Sequence, residues 1–488
     1  MDEINAAKMS LKKNFAYSSI LTVSTYLFPL IVYPYVSRTL GLSNIGIVNF
    51  IDNLVTFFVF FSMMGISTVG IREIASMRSD RQKLSSTFIS LLSLTTITTL
   101  IAIASLWIAM YTVPTLAPYR DLLYVGLIKL VFNLFLIEWF FMGMENFKYI
   151  TTRSLLVKCL YVAAVFIFIK EPSDYKVYFV LSVLTVVVNA LINIFYSRKF
   201  VDYSWRSVNI KPFCKPFLIF GAYILLTNVY TYLNPVWLGF VTNTDEVGYF
   251  TSATKLHHII MAVLLSFSNI LYPRVSNLLS EGKEDEFWDK ISTAFEAIFL
   301  FSFPTIVYLL VAGPELLHLF VGDGFEGSYL PLRIISPLVL IIGMAQILII
   351  QILMAKHEDN IILRNSAIGA LVAVVLNLLI TASMGAPGTA IVWVSTETVI
   401  MLLSAMVIYR RYHYMLPVRR LLAYCLTYAP LLLISYLLYR TLGENLTMLA
   451  VQAVVVLVYA TIAEVFILKN RVVTMLLNTL SNLFHSHR

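Results

Sequence analysis

The chain has 488 residues, of which 59% are apolar and only 13% charged, with a mean hydropathy of +0.82. Soluble domains run near half apolar and a quarter charged, so this composition excludes an ordinary soluble enzyme and makes the bilayer the solvent. The formal net charge of +8 does not indicate nucleic acid, because the cations are dispersed among short gaps rather than gathered on one face.

A hydrocarbon core of about 30 Å is crossed by about 20 apolar residues of helix. Hydropathy on that length predicts fourteen spans, near 15–36, 46–71, 87–112, 122–143, 150–169, 177–196, 217–240, 249–272, 291–311, 333–355, 361–383, 389–409, 421–439 and 446–468. The fold class is therefore an all-α membrane protein with fourteen transmembrane helices. The first span follows a basic arm, yet it is too long for a signal-peptide core and no small-x-small cleavage site follows it, so it is expected to remain as an anchor. The longest gaps, 197–216 and 313–332, leave no room for an extramembrane catalytic domain.

Lys and Arg gather in alternate gaps, from Lys8, Lys12 and Lys13 at one end to Lys469, Arg471 and Arg488 at the other. About 26 cations fall on one side and about 5 on the other (Arg38, Arg120, Lys170, Lys176, Arg440), which predicts cytoplasmic termini by the positive-inside rule. Cys159, Cys214 and Cys425 show no C-x-x-C spacing, so neither a disulfide framework nor a metal site is indicated. Asp323 and Glu326, set among glycines, lack the ligand spacing of a calcium loop.

The chain also repeats itself. Tyr33-Pro34-Tyr35 and Asn44-Ile45-Gly46-Ile47-Val48 lie on Asn234-Pro235-Val236 and Glu246-Val247-Gly248-Tyr249-Phe250 at an offset of about 202 residues. Two parallel six-helix bundles with pseudo-two-fold symmetry are expected, at 1–200 and 217–412, joined by a cytoplasmic linker at 201–216. An accessory pair, spans 13 and 14, then occupies 413–488 with the tail. Pro34 and Pro235 coincide in this alignment and are candidate hinges.

Four cations fall inside spans rather than in gaps: Lys129, Lys158, Lys255 and Arg333. A charge at a helix centre costs about 2.5 to 3.5 kcal/mol on insertion scales, so it faces a protein interior or a wet cavity unless it lies close enough to a surface to snorkel. Arg333 and Lys129 are near enough to an end for snorkelling; Arg38, at the end of span 1, is intermediate. Among carboxylates, Asp52 and Glu397 stand within spans, with Glu138 and Glu464 near span ends. Asp52 and Lys255 occupy nearly the same place in the two halves and are expected either to pair or, for Asp52 and Glu397, to take a coupling ion. His257 and His258 are adjacent, point to different sides of one helix and make a poor metal pair.

Asn14-Phe15-Ala16-Tyr17, Tyr35-Val36-Ser37-Arg38-Thr39-Leu40-Gly41 and the segment from Gly65 to Ala75 resemble the opening of bacterial polysaccharide flippases. Gly143-Met144-Glu145-Asn146-Phe147-Lys148-Tyr149-Ile150 with Lys158 following, and Leu330-Pro331-Leu332-Arg333-Ile334-Ile335-Ser336, extend the resemblance along most of the chain. The family is the O-antigen flippase (Wzx) type of polysaccharide transporter, in the superfamily that also holds multidrug MATE exporters and the lipid II flippase. The resemblance implies a MATE-like fold in the bacterial inner membrane and movement of undecaprenyl-diphosphate-linked oligosaccharide to the periplasmic leaflet by alternating access.

On that reading a basic cavity holds the diphosphate dianion, with Arg38, Lys129, Lys158, Lys255 and Arg333 as candidate contacts. Asn189, Asn193, Asn228 and Trp237 are candidate sugar contacts. No cofactor, metal or catalytic residue is expected; coupling to a proton or sodium gradient, partnership with the polymerase and glycosyltransferases of the same pathway, and function as a monomer are the further expectations. The rivals are a lipid II flippase and a MATE-type cation-coupled drug antiporter. The latter is disfavoured because span 1 carries no carboxylate and the deep charges are mainly basic.

Overall fold

The computed structural model describes residues 2–203, 208–443 and 445–486, and within them every side chain except those of residues 2–12, 15, 223, 227–230, 269, 270, 446 and 479–486. Among the described residues the secondary structure is helical, with no strand. Close packing divides the chain into two compact units, Met1–Gly248 and Tyr249–Arg488.

Unit 1 holds α1 (Asp2–Met63), α2 (Ile66–Met77), α3 (Arg81–Thr112), α4 (Arg120–Asn133), α5 (Glu138–Gly143), α6 (Phe147–Phe168), α7 (Tyr175–Ser197) and α8 (Lys211–Val241). α9 (Thr244–Ser280) begins at the end of unit 1 and leads into unit 2, which continues with α10 (Glu284–Val321), α11 (Tyr329–Ile335), α12 (Leu338–Gln346) and α13 (Asp359–Leu376). α14 (Ala382–Tyr412), α15 (Val418–Leu442), α16 (Leu446–Ile462) and α17 (Arg471–Ser486) complete it.

Ten of the described helical segments are long and apolar enough to cross a membrane, and up to twelve if each of two bent pairs is one span. The protein is thus a multi-pass, all-helical membrane protein. Two segments, Ala16–Met77 at 62 residues and Asp359–Tyr412 at 54, are each far longer than one crossing needs. Each is interrupted by a glycine outside helical geometry, Gly41 at φ 76 and Gly385 at φ 59, a region that a Cβ disfavours. The Gly41 corner is tied to the α6–α7 connection, where the Tyr35 hydroxyl donates to Ile169 O at 2.6 Å and Asn44 Nδ2 donates to Pro172 O at 2.8 Å.

Several spans expected to be continuous are broken or bent. The predicted span 122–143 divides into α4 and α5 at Leu134–Ile137, where Ile137 takes φ 37. The predicted span 333–355 bends by 40° between Ile335 and Leu338, beside Pro337, whose missing N–H and ring favour a bend. α8 also bends, by 56° between Leu226 and Thr231. That bend falls one turn before Pro235, where the proline removes the hydrogen bond to residue 231. Pro34 produces no comparable break; α1 changes direction at Gly41 instead.

Sequence repetition and close packing divide the chain at different places. The repeat sets α8 at the head of the second lobe, whereas by packing it belongs to unit 1, where Gly239 lies against the Phe50 ring and Gly221 against Met64. The apolar core of unit 1 includes Phe88, Trp139, Phe140, Phe141 and Phe217.

Candidate functional site

Asp52 lies eleven residues beyond Gly41 in α1, and Lys129 nine residues into α4, which at 1.5 Å per residue places them about 16 Å and about 13 Å along their helices. The helices touch closely because Gly126, one turn before Lys129, meets Val55, one turn after Asp52; a Cβ on Gly126 would stand 2.5 Å from Val55 Cγ2. That approach brings Lys129 Nζ to 2.6 Å from Asp52 Oδ1 and 3.1 Å from Thr56 Oγ1. The Lys129 side chain is only 16% exposed, so it forms a membrane-depth ion pair rather than snorkelling to a surface. Within unit 1 the partner of Asp52 is therefore Lys129, where the repeat offset had suggested Lys255.

Lys158 sits eleven residues into α6, about 16 Å from its start and hence near the middle of a bilayer-length helix. Its ammonium donates to Ser24 Oγ at 2.9 Å and Thr25 Oγ1 at 3.3 Å, and lies 5.9 Å from the Phe28 ring centroid. Both hydroxyls donate to Leu21 O, which leaves their lone pairs for the ammonium. Among the described residues no carboxylate forms a salt bridge with Lys158. A half-buried cation held by neutral oxygens keeps most of its charge for an incoming anion.

The break between α4 and α5 is supported by a network that the sequence did not reveal. Asn193 of α7 donates through Nδ2 to Leu136 O in the break, while its Oδ1 accepts from Arg153 and from the Tyr149 hydroxyl at 2.9 Å. Arg153 also donates to Glu138 at 2.5 Å, at the first residue of α5. Non-helical backbone at membrane depth is tolerated only where neighbours satisfy it; here the Asn193 amide from α7 satisfies the Leu136 carbonyl, and the Arg153 guanidinium from α6 holds Asn193 and Glu138 in place. Arg153 is 5% exposed and Asn193 fully buried. Arg153 is thus a buried structural cation, and Asn193, a candidate sugar contact, is committed to protein partners.

The remaining candidates are spread more widely. Arg38 and Arg333 are exposed, and Arg333 Nε donates to Leu310 O at 3.0 Å. Asn189 is half-buried and donates to Thr185 O at 2.7 Å, and Trp237 is half-buried in α8. Asn228 lies outside the described side chains. In unit 2 Lys255 and Glu397 are half-buried, and Glu397 accepts from Trp393 Nε1 at 3.4 Å. The Trp393 ring lies 5.5 Å from both His257 and His258, so the histidines pack about an aromatic ring.

A second buried polar cluster was also missed. Glu464, 1% exposed, accepts from Tyr424 at 2.8 Å and Tyr428 at 2.9 Å, and Glu296 pairs with Arg420 at 3.1 Å. The two tyrosines, four residues apart on α15, were the signal that could have located it.

Outside the spans, charges fix the connections. Asp80 caps α3, and the Lys83 backbone N–H bound to it holds its carboxyl below the usual carboxylate range. Arg81 does the same for Asp202 through a hydrogen bond at 2.8 Å. Among the described residues no group of three or more metal-ligating side chains occurs.

A multi-pass helical protein with cations buried at mid-depth and broken spans beside them has the construction of a membrane transporter. The chain belongs to the polysaccharide biosynthesis protein family, whose model matches residues 11–279. It is 24% identical over 404 residues to an Escherichia coli (strain K12) protein named "Putative O-antigen transporter", covering 81% of this chain and 96% of that one. A Shigella dysenteriae protein of the same name is 25% identical over 401 residues, covering 80% and 98%. Among solved structures, the lipid II flippase MurJ in an inward closed conformation matches 93% of this chain and 98% of its own at a TM-score of 0.78 and 13% identity. An outward-facing multidrug resistance MATE family transporter of the MOP superfamily matches 82% and 94% at a TM-score of 0.57 and 15% identity. These two likenesses concern the fold, and they agree with the MATE-like resemblance read from the sequence.

Proposed function

We propose that the protein is a flippase that moves undecaprenyl-diphosphate-linked oligosaccharide from the cytoplasmic to the periplasmic leaflet of a bacterial inner membrane, for surface polysaccharide synthesis. The observation that carries this reading is Lys158, a half-buried ammonium about 16 Å inside α6 that forms no salt bridge with a carboxylate among the described residues. A diphosphate is a compact dianion, and a cation desolvated at that depth offers it a charge-assisted contact unavailable to a drug cation. Family membership and the names of the two relatives support a glycan cargo.

On this reading the long segments Ala16–Met77 and Asp359–Tyr412 are each two crossings, split at Gly41 and Gly385, which with the two bent pairs supports fourteen spans. The termini are cytoplasmic, and two six-helix lobes with the accessory pair move by alternating access. Lys158 leads the diphosphate contacts, with Lys255, Arg38 and Arg333 joining it as the lobes move. Lys129 contributes less, because Asp52 already meets its charge. Asp52 and Glu397 are the carboxylates proposed for a coupling proton or sodium ion. The protein works by translocation without bond cleavage.

Deletion tests the reading. Loss of the gene is expected to strip surface glycan and to leave a diphosphate-linked oligosaccharide lipid in the cytoplasmic leaflet of viable cells. Lethal accumulation of lipid II would instead assign the chain to the lipid II flippases, whose fold it shares.

A further inference from the structure

The last helix, α17, has sixteen residues, fewer than a crossing needs. Three residues, Leu468, Lys469 and Asn470, separate it from the end of the membrane-spanning segment at Ile467, and Lys469 takes φ 48, which turns the chain sharply. The corner is fixed. Asn470 N donates to Glu464 O at 2.9 Å, and Asn470 Nδ2 donates to Tyr424 OH at 2.7 Å and Glu296 O at 3.0 Å. Asn470 Oδ1 accepts the first free N–H of α17, from Val472, at 2.8 Å, and Arg471 reaches Asp289 at 3.1 Å. The start of α17 is therefore pinned to α10 and α15 at the level where the bilayer ends.

Beyond that corner, Val472 and Val473 are half-buried, while Met475, Leu476 and Leu477 are 49%, 58% and 47% exposed. The sequence continues this stripe with Leu480, Leu483 and Phe484, interrupted by Thr479, and sets Thr474, Asn478, Ser481 and Asn482 on the other side. From Lys469 to Arg488 there is no Asp or Glu, while Lys469 and Arg488 are cationic and Arg471 is shared with Asp289. We infer that α17 lies in the plane of the membrane surface, with the Leu476–Leu477 stripe in the headgroup region of an anionic leaflet. Continuity with a spanning helix places the stripe at the bilayer boundary, and the one-signed charge matches anionic headgroups. The bilayer thus covers the apolar side of a helix whose start the protein pins.

The test uses the full chain with Cys159, Cys214 and Cys425 replaced by Ser, carrying either Leu476→Cys or Asn478→Cys labelled with an environment-sensitive fluorophore. In phosphatidylglycerol-containing vesicles the label at 476 is expected to be blue-shifted, quenched by doxyl lipid and several-fold less accessible to iodide than the label at 478. Replacing phosphatidylglycerol by phosphatidylcholine is expected to reduce that shielding. Equal iodide access at the two positions overturns the inference. Shielding at 476 that vanishes when vesicles hold single chains also overturns it, by assigning the stripe to a second copy. Shielding indifferent to lipid charge removes the anionic leaflet as the partner.

Discussion

Replacing Lys158 by Gln separates a ligand ammonium from a structural one. The substitution keeps the length and hydrogen-bonding capacity of the side chain near Ser24 and Thr25 but removes the charge. No carboxylate among the described residues loses an ion-pair partner, so the folding cost is confined to weakened hydroxyl contacts and stays within about 1 kcal/mol. A charge-assisted contact to phosphate is worth about 1.5 to 3 kcal/mol, so affinity for the diphosphate should fall roughly 10- to 150-fold. The assay is complementation of a deletion strain, scored by surface glycan, beside the melting temperature and membrane level of the variant. Export at the wild-type rate by a variant present at wild-type level would refute the reasoning.

Lys129→Gln should behave in the opposite way. It leaves Asp52 uncompensated and costs about 1 to 3 kcal/mol once the 41% exposure of Asp52 is allowed for, and adding Asp52→Asn should recover much of that loss in a double-mutant cycle of thermal stability. Gly126→Ala sets a Cβ 2.5 Å from Val55 Cγ2 and should destabilise by about 1 to 3 kcal/mol, with a favourable coupling to Val55→Ala; additive losses would mean that the α1–α4 approach is not the cause. Asn193→Leu strands the Leu136 carbonyl and part of Arg153, and should cost about 1 to 3 kcal/mol in stability without changing which glycan the residual activity accepts. Asp80 has a lowered carboxyl pKa, so its capping contribution is present above the usual carboxylate range and is lost as pH falls through the lowered value. Asp80→Asn, which caps without titrating, should abolish the acid-induced rise in hydrogen exchange at the start of α3.

What the sequence made legible follows from what is local. Apolar length located most crossings, and a cation inside an apolar run marked Lys129 and Lys158 without any partner being known. Gly41 fell in a predicted gap, and φ 76 there is a conformation that glycine tolerates. The break at Leu134–Ile137 was invisible because the segment is apolar throughout and carries neither Gly nor Pro. It is stabilised from outside, by Asn193 and Arg153, through contacts as far as 57 residues apart in sequence. Arg153 was hidden by its position near the start of a span, where a count of loop charges absorbs it. The Asp52–Lys129 pair was not legible because a repeat offset compares positions, whereas this contact depends on the close approach at Gly126. Glu464 illustrates the same limit, since its setting depends on Tyr424 and Tyr428 from the neighbouring helix.

The central claim is most directly tested with the purified protein in proteoliposomes carrying a labelled undecaprenyl-diphosphate oligosaccharide in the inner leaflet. The account predicts that the glycan becomes accessible to an external glycosidase with wild-type protein and remains protected with Lys158→Gln. Continued protection with folded wild-type protein, or equal exposure with both proteins, would contradict it.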